Sequence, residues 1–181
     1  MRNKRQHNGQ LSLYLNGGPR SRILPPADHG PFSELYFAVL PDEESAARSH
    51  ELAGNFHRQY RSFAKPRRAD LLHVTLYAIG SFRNLPEETA FAAMEAASRV
   101  RKPSCPVVFD EVVSFGNGDN RPLVLWNRNG NAELKAIYRE LVDAMRLTGI
   151  APPKERPVEP HMTLLYRGQS VPDIRLEKPV S

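Results

Sequence analysis

Two segments of this chain repeat one pattern, in which a histidine and a threonine stand two residues apart at the start of an apolar run. Residues 73–80 read HVTLYAIG and residues 161–168 read HMTLLYRG, so four of the eight positions are identical. Random placement of six histidines and four threonines would give about 0.13 such triplets, whereas the chain contains two. This surplus indicates a duplicated structural element.

The repeated pattern is typical of a strand that carries polar groups on one face. Residues i and i+2 of a β-strand point the same way, about 6.6 Å apart, so each histidine shares a face with its threonine. A pseudo-two-fold axis between the two strands would bring both pairs to one concave surface. Two imidazoles with ordinary pKa values near 6.5 can act as base and acid near neutral pH. Threonine hydroxyls can donate hydrogen bonds to phosphate oxygens.

Two other interpretations of the histidines compete with a joint reaction site. A lone histidine on an apolar strand is more often a hydrogen-bonded structural residue than a catalyst, but the duplication favours a shared site. Paired histidines also occur in metal centres. Here the i+2 partners are threonines, and no clustered third ligand accompanies either motif. We therefore predict no metal and no cofactor.

The pattern of apolar residues around the motifs predicts an α+β domain. Strands are predicted over residues 35–40, 71–79, 107–115, 122–126 and 162–166, and helices over about 42–62, 87–100 and 132–147. Glycine- and asparagine-rich turns separate several of these segments. Their order predicts a mostly antiparallel sheet with helices on its outer face.

The net charge of +5 belongs mainly to the start of the chain. Residues 1–33 carry +4 and the other 148 residues carry +1. Because residues 1–33 are also rich in glycine and proline, we predict a basic disordered tail there and one globular domain over 34–181. A nearly neutral domain argues against a broad duplex-binding face. Arg67 and Arg68 are interpreted mainly as exposed loop charges that could steer RNA.

The remaining composition indicates a cytoplasmic protein. Cys105 is the single cysteine, so no intrachain disulfide can form, as suits a reducing compartment. The first residues lack the apolar core of a secretory signal, and no apolar run approaches the 18 residues that a membrane span needs. We expect a monomer that does not interact with membranes, although an organellar transit peptide stays open as an alternative.

With these motifs in place, residues 34–168 resemble the 2H phosphoesterase superfamily, and more closely its bacterial 2'-5' RNA ligase or RNA 2',3'-cyclic phosphodiesterase group. The resemblance rests on both His-x-Thr strands and on the opening strand LYFAVLP at 35–41. It implies a bilobal α+β domain in which two antiparallel sheets face a central cleft, with helices outside. It also implies metal-independent opening of a 2',3'-cyclic phosphate to a 2'-phosphate at RNA ends or on short oligonucleotides, with 2'-5' RNA ligation as the reverse reaction.

The same resemblance implies a role for each motif residue. His73 would be the acid that protonates the leaving 3' oxygen, and His161 the base that activates water. Thr75 and Thr163 would hold the phosphate oxygens. Further candidates for contacts to phosphate or base are Tyr77, Tyr166 and Arg167, whereas Phe37 is assigned to the core.

The end of the chain departs from the family pattern. Thirteen residues follow residue 168, and 174–176 is the one possible strand among them. We therefore expect a missing closing strand and an exposed sheet edge.

Two alternative functions also stay open at this point. One is a non-catalytic module that binds RNA ends or nucleotides, and the other is a phosphodiesterase for a different nucleotide or small-molecule phosphodiester. The paired histidines favour an enzyme, because arginine or lysine would suffice for binding alone.

Overall fold

The computed structural model describes residues 12–16, 33–61, 64–84, 86–116, 121–150, 158–168 and 170–181. For residues 12–16, 167 and 168 it describes the backbone alone. The helices are α1 (Glu43–Gln59), α2 (Glu87–Ala97) and α3 (Ala132–Leu147), with a short 3₁₀ turn at Ala69–Leu71. The strands are β1 (Ser12–Asn16), β2 (Ser33–Val39), β3 (Val74–Phe82), β4 (Phe109–Ser114), β5 (Arg121–Trp126), β6 (Met162–Gly168) and β7 (Ile174–Val180). The predicted α+β class is confirmed.

The seven strands form one sheet in the order β1-β2-β3-β6-β5-β4-β7, and every pairing is antiparallel. The two motif strands, β3 and β6, are neighbours at the centre. Among the described residues, one pair, Val74 and Met162, joins them in register. The sheet therefore has two lobes, one of three strands and one of four. The predicted pair of separate sheets is replaced by one sheet with this narrow junction.

The two lobes share a local topology around the motif strands. In each lobe a strand leads into a helix and then into an antiparallel motif strand, as β2–α1–β3 and as β5–α3–β6. The pairing registers skip Leu76 in β3 and Leu164 in β6. Each motif strand thus contains a one-residue bulge directly after its threonine. The duplication seen in the sequence extends to this detail of the backbone.

The helices tie the two lobes together. Helix α1 packs against β6 and helix α3 against β3, so each covers the motif strand of the other lobe. The Asp42 carboxylate accepts a hydrogen bond of 2.7 Å from the Ser45 backbone and so caps α1. Apolar side chains between sheet and helices form the core, and Phe37 lies in it as predicted, with 1% of its surface exposed.

The end of the chain supplies a closing strand, so the prediction that one is missing is wrong. Strand β7 pairs with β4 at the edge of the sheet. Beyond it, the Ser181 carbonyl accepts a hydrogen bond from the Ser45 hydroxyl, and Arg48 donates to the Pro179 carbonyl at 2.7 Å. The strand signal is weak in the sequence because an edge strand exposes most of its side chains and tolerates proline.

The start of the chain also differs from its prediction in one place. Ser12–Asn16 pairs with β2 over five residue pairs as strand β1, so the expected disorder is not met there. The rest of residues 1–32 lies outside the described residues. None of the helices in the described part of the chain has the length and apolar content needed to cross a bilayer.

Candidate active site

The junction between β3 and β6 brings the two His-x-Thr motifs together. Val74 and Met162 are paired and buried, so their neighbours along each strand face the other side of the sheet. The antiparallel register sets His73 beside Thr163, and Thr75 beside His161. The two histidines are then diagonal neighbours, whose separation in such a pair is about 7–8 Å. One phosphate group fits between two imidazoles at that spacing.

Both imidazoles are held in the same way by the backbone. The Nδ1–H of His73 donates to the Leu71 carbonyl at 2.9 Å, and the Nδ1–H of His161 donates to the Glu159 carbonyl at 2.7 Å. Because a carbonyl can only accept, each Nδ1 carries a proton. In each case the carbonyl lies two residues before the histidine, so the two rings share one tautomer and leave Nε2 for substrate.

An aromatic ring packs against each histidine. The Tyr36 ring lies 5.2 Å from the His73 ring, centre to centre, and the Phe115 ring lies 4.9 Å from the His161 ring. These contacts limit how far each imidazole can turn. Sequence reasoning missed both aromatic residues. A signal for Tyr36 was present, because alternation along β2 places it on the face opposite the core residue Phe37.

The surroundings of His73 lower its pKa. Burial lowers the pKa of His73 below its usual value of 6.5, and this is the largest effect. The hydrogen bond to Leu71 acts in the opposite direction, while the positive charges of Arg67 and His161 lower the pKa further. His73 is therefore neutral at pH 7 in the unliganded protein. The influence of His161 shows that the two imidazoles interact electrostatically.

A cavity of about 310 Å³ opens beside the first motif. This volume is at the lower end of the range for small-molecule sites. A larger concavity of about 390 Å³ lies near α2 and α3 and contains none of the four motif residues, so we place the reaction in the smaller one. Its wall is formed by His73, Thr75, Glu34, Leu35, Tyr36, Arg67, Ala78, Gly80, Ser81 and Tyr166.

Tyr77 does not face this cavity, so the prediction that it binds substrate is wrong. The bulge at Leu76 shifts the alternation by one position, and Ala78 takes the place on the cavity wall. Tyr77 is 2% exposed, and its hydroxyl donates to the Ile150 carbonyl at 3.1 Å. Burial raises the pKa of Tyr77 to about 12. It is a core residue that links β3 to the end of α3.

Tyr166 lies on the cavity wall, where the matching bulge in β6 directs it, and 49% of its surface is exposed. The Arg67 guanidinium lies over its ring, 5.1 Å from the centre. The interpretation of Arg67 as an exposed loop charge is therefore wrong, because the loop before β3 folds against β6. Arg68 does fit that interpretation, since it is exposed and paired with Asp70 at 2.6 Å. The Arg167 side chain lies outside the described residues.

The residues that could hold a cofactor or metal are few in the described part of the chain. No three histidine, cysteine, aspartate or glutamate side chains there are grouped as metal ligands would be. The cavity instead offers one cation, Arg67, and the Thr75 hydroxyl, which are donors suited to an anion. Metal independence stays a prediction that needs a direct test.

The match to a known family covers both motif strands. The profile of the 2'-5' RNA ligase superfamily matches residues 41–178. The chain belongs to the 2'-5' RNA ligase superfamily. No curated protein sequence gives a significant match.

Solved structures share the superfamily fold seen in this chain. Escherichia coli LigT in its apo form is 22% identical, with a TM-score of 0.63 over 81% of this chain and 84% of LigT. The Thermus thermophilus protein TT0787 is 21% identical, with a TM-score of 0.60 over 81% of this chain and 82% of that protein. LigT complexed with 3'-AMP is 20% identical, with a TM-score of 0.57 over 80% of this chain and 98% of LigT. These similarities confirm the predicted fold.

Proposed function

We propose that this superfamily member is a metal-independent phosphodiesterase that opens 2',3'-cyclic phosphates at the ends of RNA or short oligonucleotides. The observation that carries the proposal is the matched setting of His73 and His161. Each ring is fixed through Nδ1 by a carbonyl two residues earlier, and each stands beside a motif threonine at the β3–β6 junction. General acid–base groups positioned in this way typically contribute 10²- to 10⁴-fold to a rate.

The proposed reaction needs one proton acceptor and one proton donor. A water oxygen attacks the phosphorus while Nε2 of His161 takes a proton from that water. The bond from phosphorus to the 3' oxygen breaks, and Nε2 of His73 gives its proton to that oxygen. The products are a 2'-phosphate and a free 3' hydroxyl, and the two imidazoles have exchanged protonation states. Proton exchange with solvent restores them.

The threonines serve the charge that develops on phosphorus. Thr75 and Thr163 are half-buried on the same face as the histidines, so their hydroxyls can donate to the non-bridging oxygens. Such preorganised donors stabilise a transition state more in a partly dry site than in water. LigT has been crystallised with 3'-AMP, which supports a nucleotide as the class of ligand for this cleft.

The low pKa of His73 sets a condition on its role as acid. A neutral imidazole whose proton is on Nδ1 has no proton to give from Nε2, so His73 must be protonated before the leaving oxygen departs. An anionic phosphate favours the protonated form. We therefore expect the pKa of His73 to rise when a nucleoside 2'-monophosphate binds, which can be measured by NMR titration of the ring protons. An unchanged pKa with a rise at His161 would reverse the two roles.

Turnover after metal removal tests the proposed function directly. The protein is treated with EDTA and given RNA with a 2',3'-cyclic phosphate end, and the product is analysed for 2'-phosphate against 3'-phosphate. We expect undiminished turnover, a 2'-phosphate product and a bell-shaped dependence of kcat/KM on pH. Loss of turnover that added metal restores would contradict metal independence. Tight binding without turnover across a panel of cyclic phosphates would favour a binding module instead.

A further inference from the structure

Arg67 lies beside the reaction site, but on the outer side of the His73 ring. The Leu71 carbonyl accepts two hydrogen bonds of 2.9 Å, one from Nε of Arg67 and one from Nδ1 of His73. Nδ1 is the ring nitrogen turned away from the cleft, since Nε2 is left for the reacting phosphate. The guanidinium is therefore held next to the site and away from the phosphorus between the histidines.

The backbone of Arg67 is fixed to the opposite lobe. Its N–H donates to the Leu164 carbonyl at 2.9 Å, and its carbonyl accepts from Nδ1 of His50 at 2.7 Å. The preceding residue, Pro66, forms a bridge with Leu165. Together with the contact between the guanidinium and Tyr166, these bonds prevent Arg67 from reaching the reacting phosphate without losing several contacts.

The charge of Arg67 is not balanced by a carboxylate among the residues that the structure describes. Its neighbour in sequence, Arg68, is paired with Asp70, whereas Nε of Arg67 binds a carbonyl and its guanidinium lies over an aromatic ring. A guanidinium in this setting keeps its terminal N–H groups for the paired oxygens of a phosphate. Glu34 lines the same cavity and would repel an anion, which favours the Arg67 end.

We propose that Arg67 and Tyr166 form a second phosphate subsite, which holds the phosphodiester that precedes the reacting cyclic phosphate in an RNA strand. The inference rests on the proposed function and adds a substrate preference to it. An oligonucleotide end carries that second anion, and a nucleoside 2',3'-cyclic monophosphate does not. The protein should therefore select strand ends over single nucleotides.

The test compares two substrates that share one reacting group. They are a nucleoside 2',3'-cyclic monophosphate and a dinucleotide that ends in the same cyclic phosphate. We expect Arg67→Met to lower kcat/KM for the dinucleotide by roughly tenfold to a hundredfold, as for loss of a hydrogen bond to a charged group, and to change the mononucleotide less than twofold. Arg68→Met removes the same charge one residue away and should change neither.

Two further measurements separate phosphate binding from a structural effect. A dinucleotide with an uncharged methylphosphonate linkage should be turned over by the unaltered protein no better than the mononucleotide. The slope of log kcat/KM for the normal dinucleotide against log salt should become shallower by about 0.7 in Arg67→Met, as expected for one lost contact to a single strand. Tyr166→Phe keeps the ring and should keep the preference, whereas Tyr166→Ala should weaken it.

Several results would overturn the second subsite. An equal loss on both substrates in Arg67→Met would show that Arg67 acts on the reacting phosphate or on His73. Unchanged kinetics on both, or a preference for the methylphosphonate linkage, would show that the second phosphate is not bound there. Failure of the unaltered protein to turn over either substrate is a different result, which contradicts the proposed function itself.

Discussion

The His73 side and the His161 side of the site share a backbone but have different surroundings. Both strands carry the motif, a bulge after the threonine and a carbonyl that holds Nδ1. Beside His73 lie the cavity, the Tyr36 ring and the unbalanced charge of Arg67. Beside His161 lies Phe115, which also contacts Trp126 at 6.2 Å. The comparison shows that the strands set the reaction geometry while the segments around them set its electrostatics.

The segments that lead into the two motifs show how this difference arises. Before His73, the loop supplies Arg67, whose charge lowers the pKa of the imidazole. Before His161, the nearby charges are Glu159 and Lys135, which pair with each other at 3.0 Å. One entry to the site is therefore cationic and the other is locally neutral. A substrate with two unequal ends can bind such a site in one orientation.

The largest expected effect tests whether the two histidines work as a unit. We expect His73→Ala and His161→Ala each to lower kcat by 10²- to 10⁴-fold, and the double variant to lose little more than the worse single variant. His57→Gln serves as the control, since His57 bonds the Ala64 carbonyl at the end of α1. Single-turnover rates measure the chemical step. Undiminished rates in both single variants would contradict the two-histidine mechanism.

A smaller effect tests whether the phosphate is shared equally between the lobes. Thr75→Val and Thr163→Val keep the shape of the side chain and remove one hydroxyl donor each. We expect each to lower kcat about tenfold to a hundredfold, less than the loss of a dedicated oxyanion donor at its upper limit. Thr→Ser at the same positions should retain most of the rate. A large effect at one threonine and none at the other would place the phosphate off the pseudo-two-fold axis.

The next prediction concerns the two tyrosines that the bulges direct to opposite faces. Tyr77→Phe leaves the Ile150 carbonyl without its hydrogen bond and should lower the free energy of unfolding by about 1 kcal/mol, with kcat unchanged. Tyr166→Phe should leave the free energy of unfolding unchanged, because that ring is half exposed. Urea denaturation measures both. A stable Tyr77→Phe variant with impaired turnover would show that Tyr77 reaches the substrate.

The smallest expected effect is a shift in protonation on the His73 side. Because burial, Arg67 and His161 lower the pKa of His73, this imidazole should titrate below its usual 6.5 and stay neutral at pH 7. Removing either cation, in Arg67→Met or His161→Ala, should move the pKa of His73 upward. Ring-proton chemical shifts against pH measure the change, with Arg68→Met as the control. A pKa above 6.5 in the unaltered protein would contradict the described surroundings of His73.

The sequence by itself determined the parts of this protein that depend on periodicity and repetition. The duplicated His-x-Thr strands fixed the α+β class, the pairing of the two motifs and the placement of each histidine with its threonine, because alternation along a strand needs no partner. The alternation around Phe37 likewise identified it as core. The superfamily follows from the same residues.

The tertiary structure decided the features that depend on a partner strand. A bulge is a mismatch between two registers, so nothing within β3 alone shows that Ala78, and not Tyr77, faces the cavity. Arg67 reaches the site because its loop is bound to Leu164 and Leu165 of the other lobe, far away in the chain. Strand β7 is stabilised by pairing with β4, and its exposed side chains carry too little apolar pattern to reveal it beforehand.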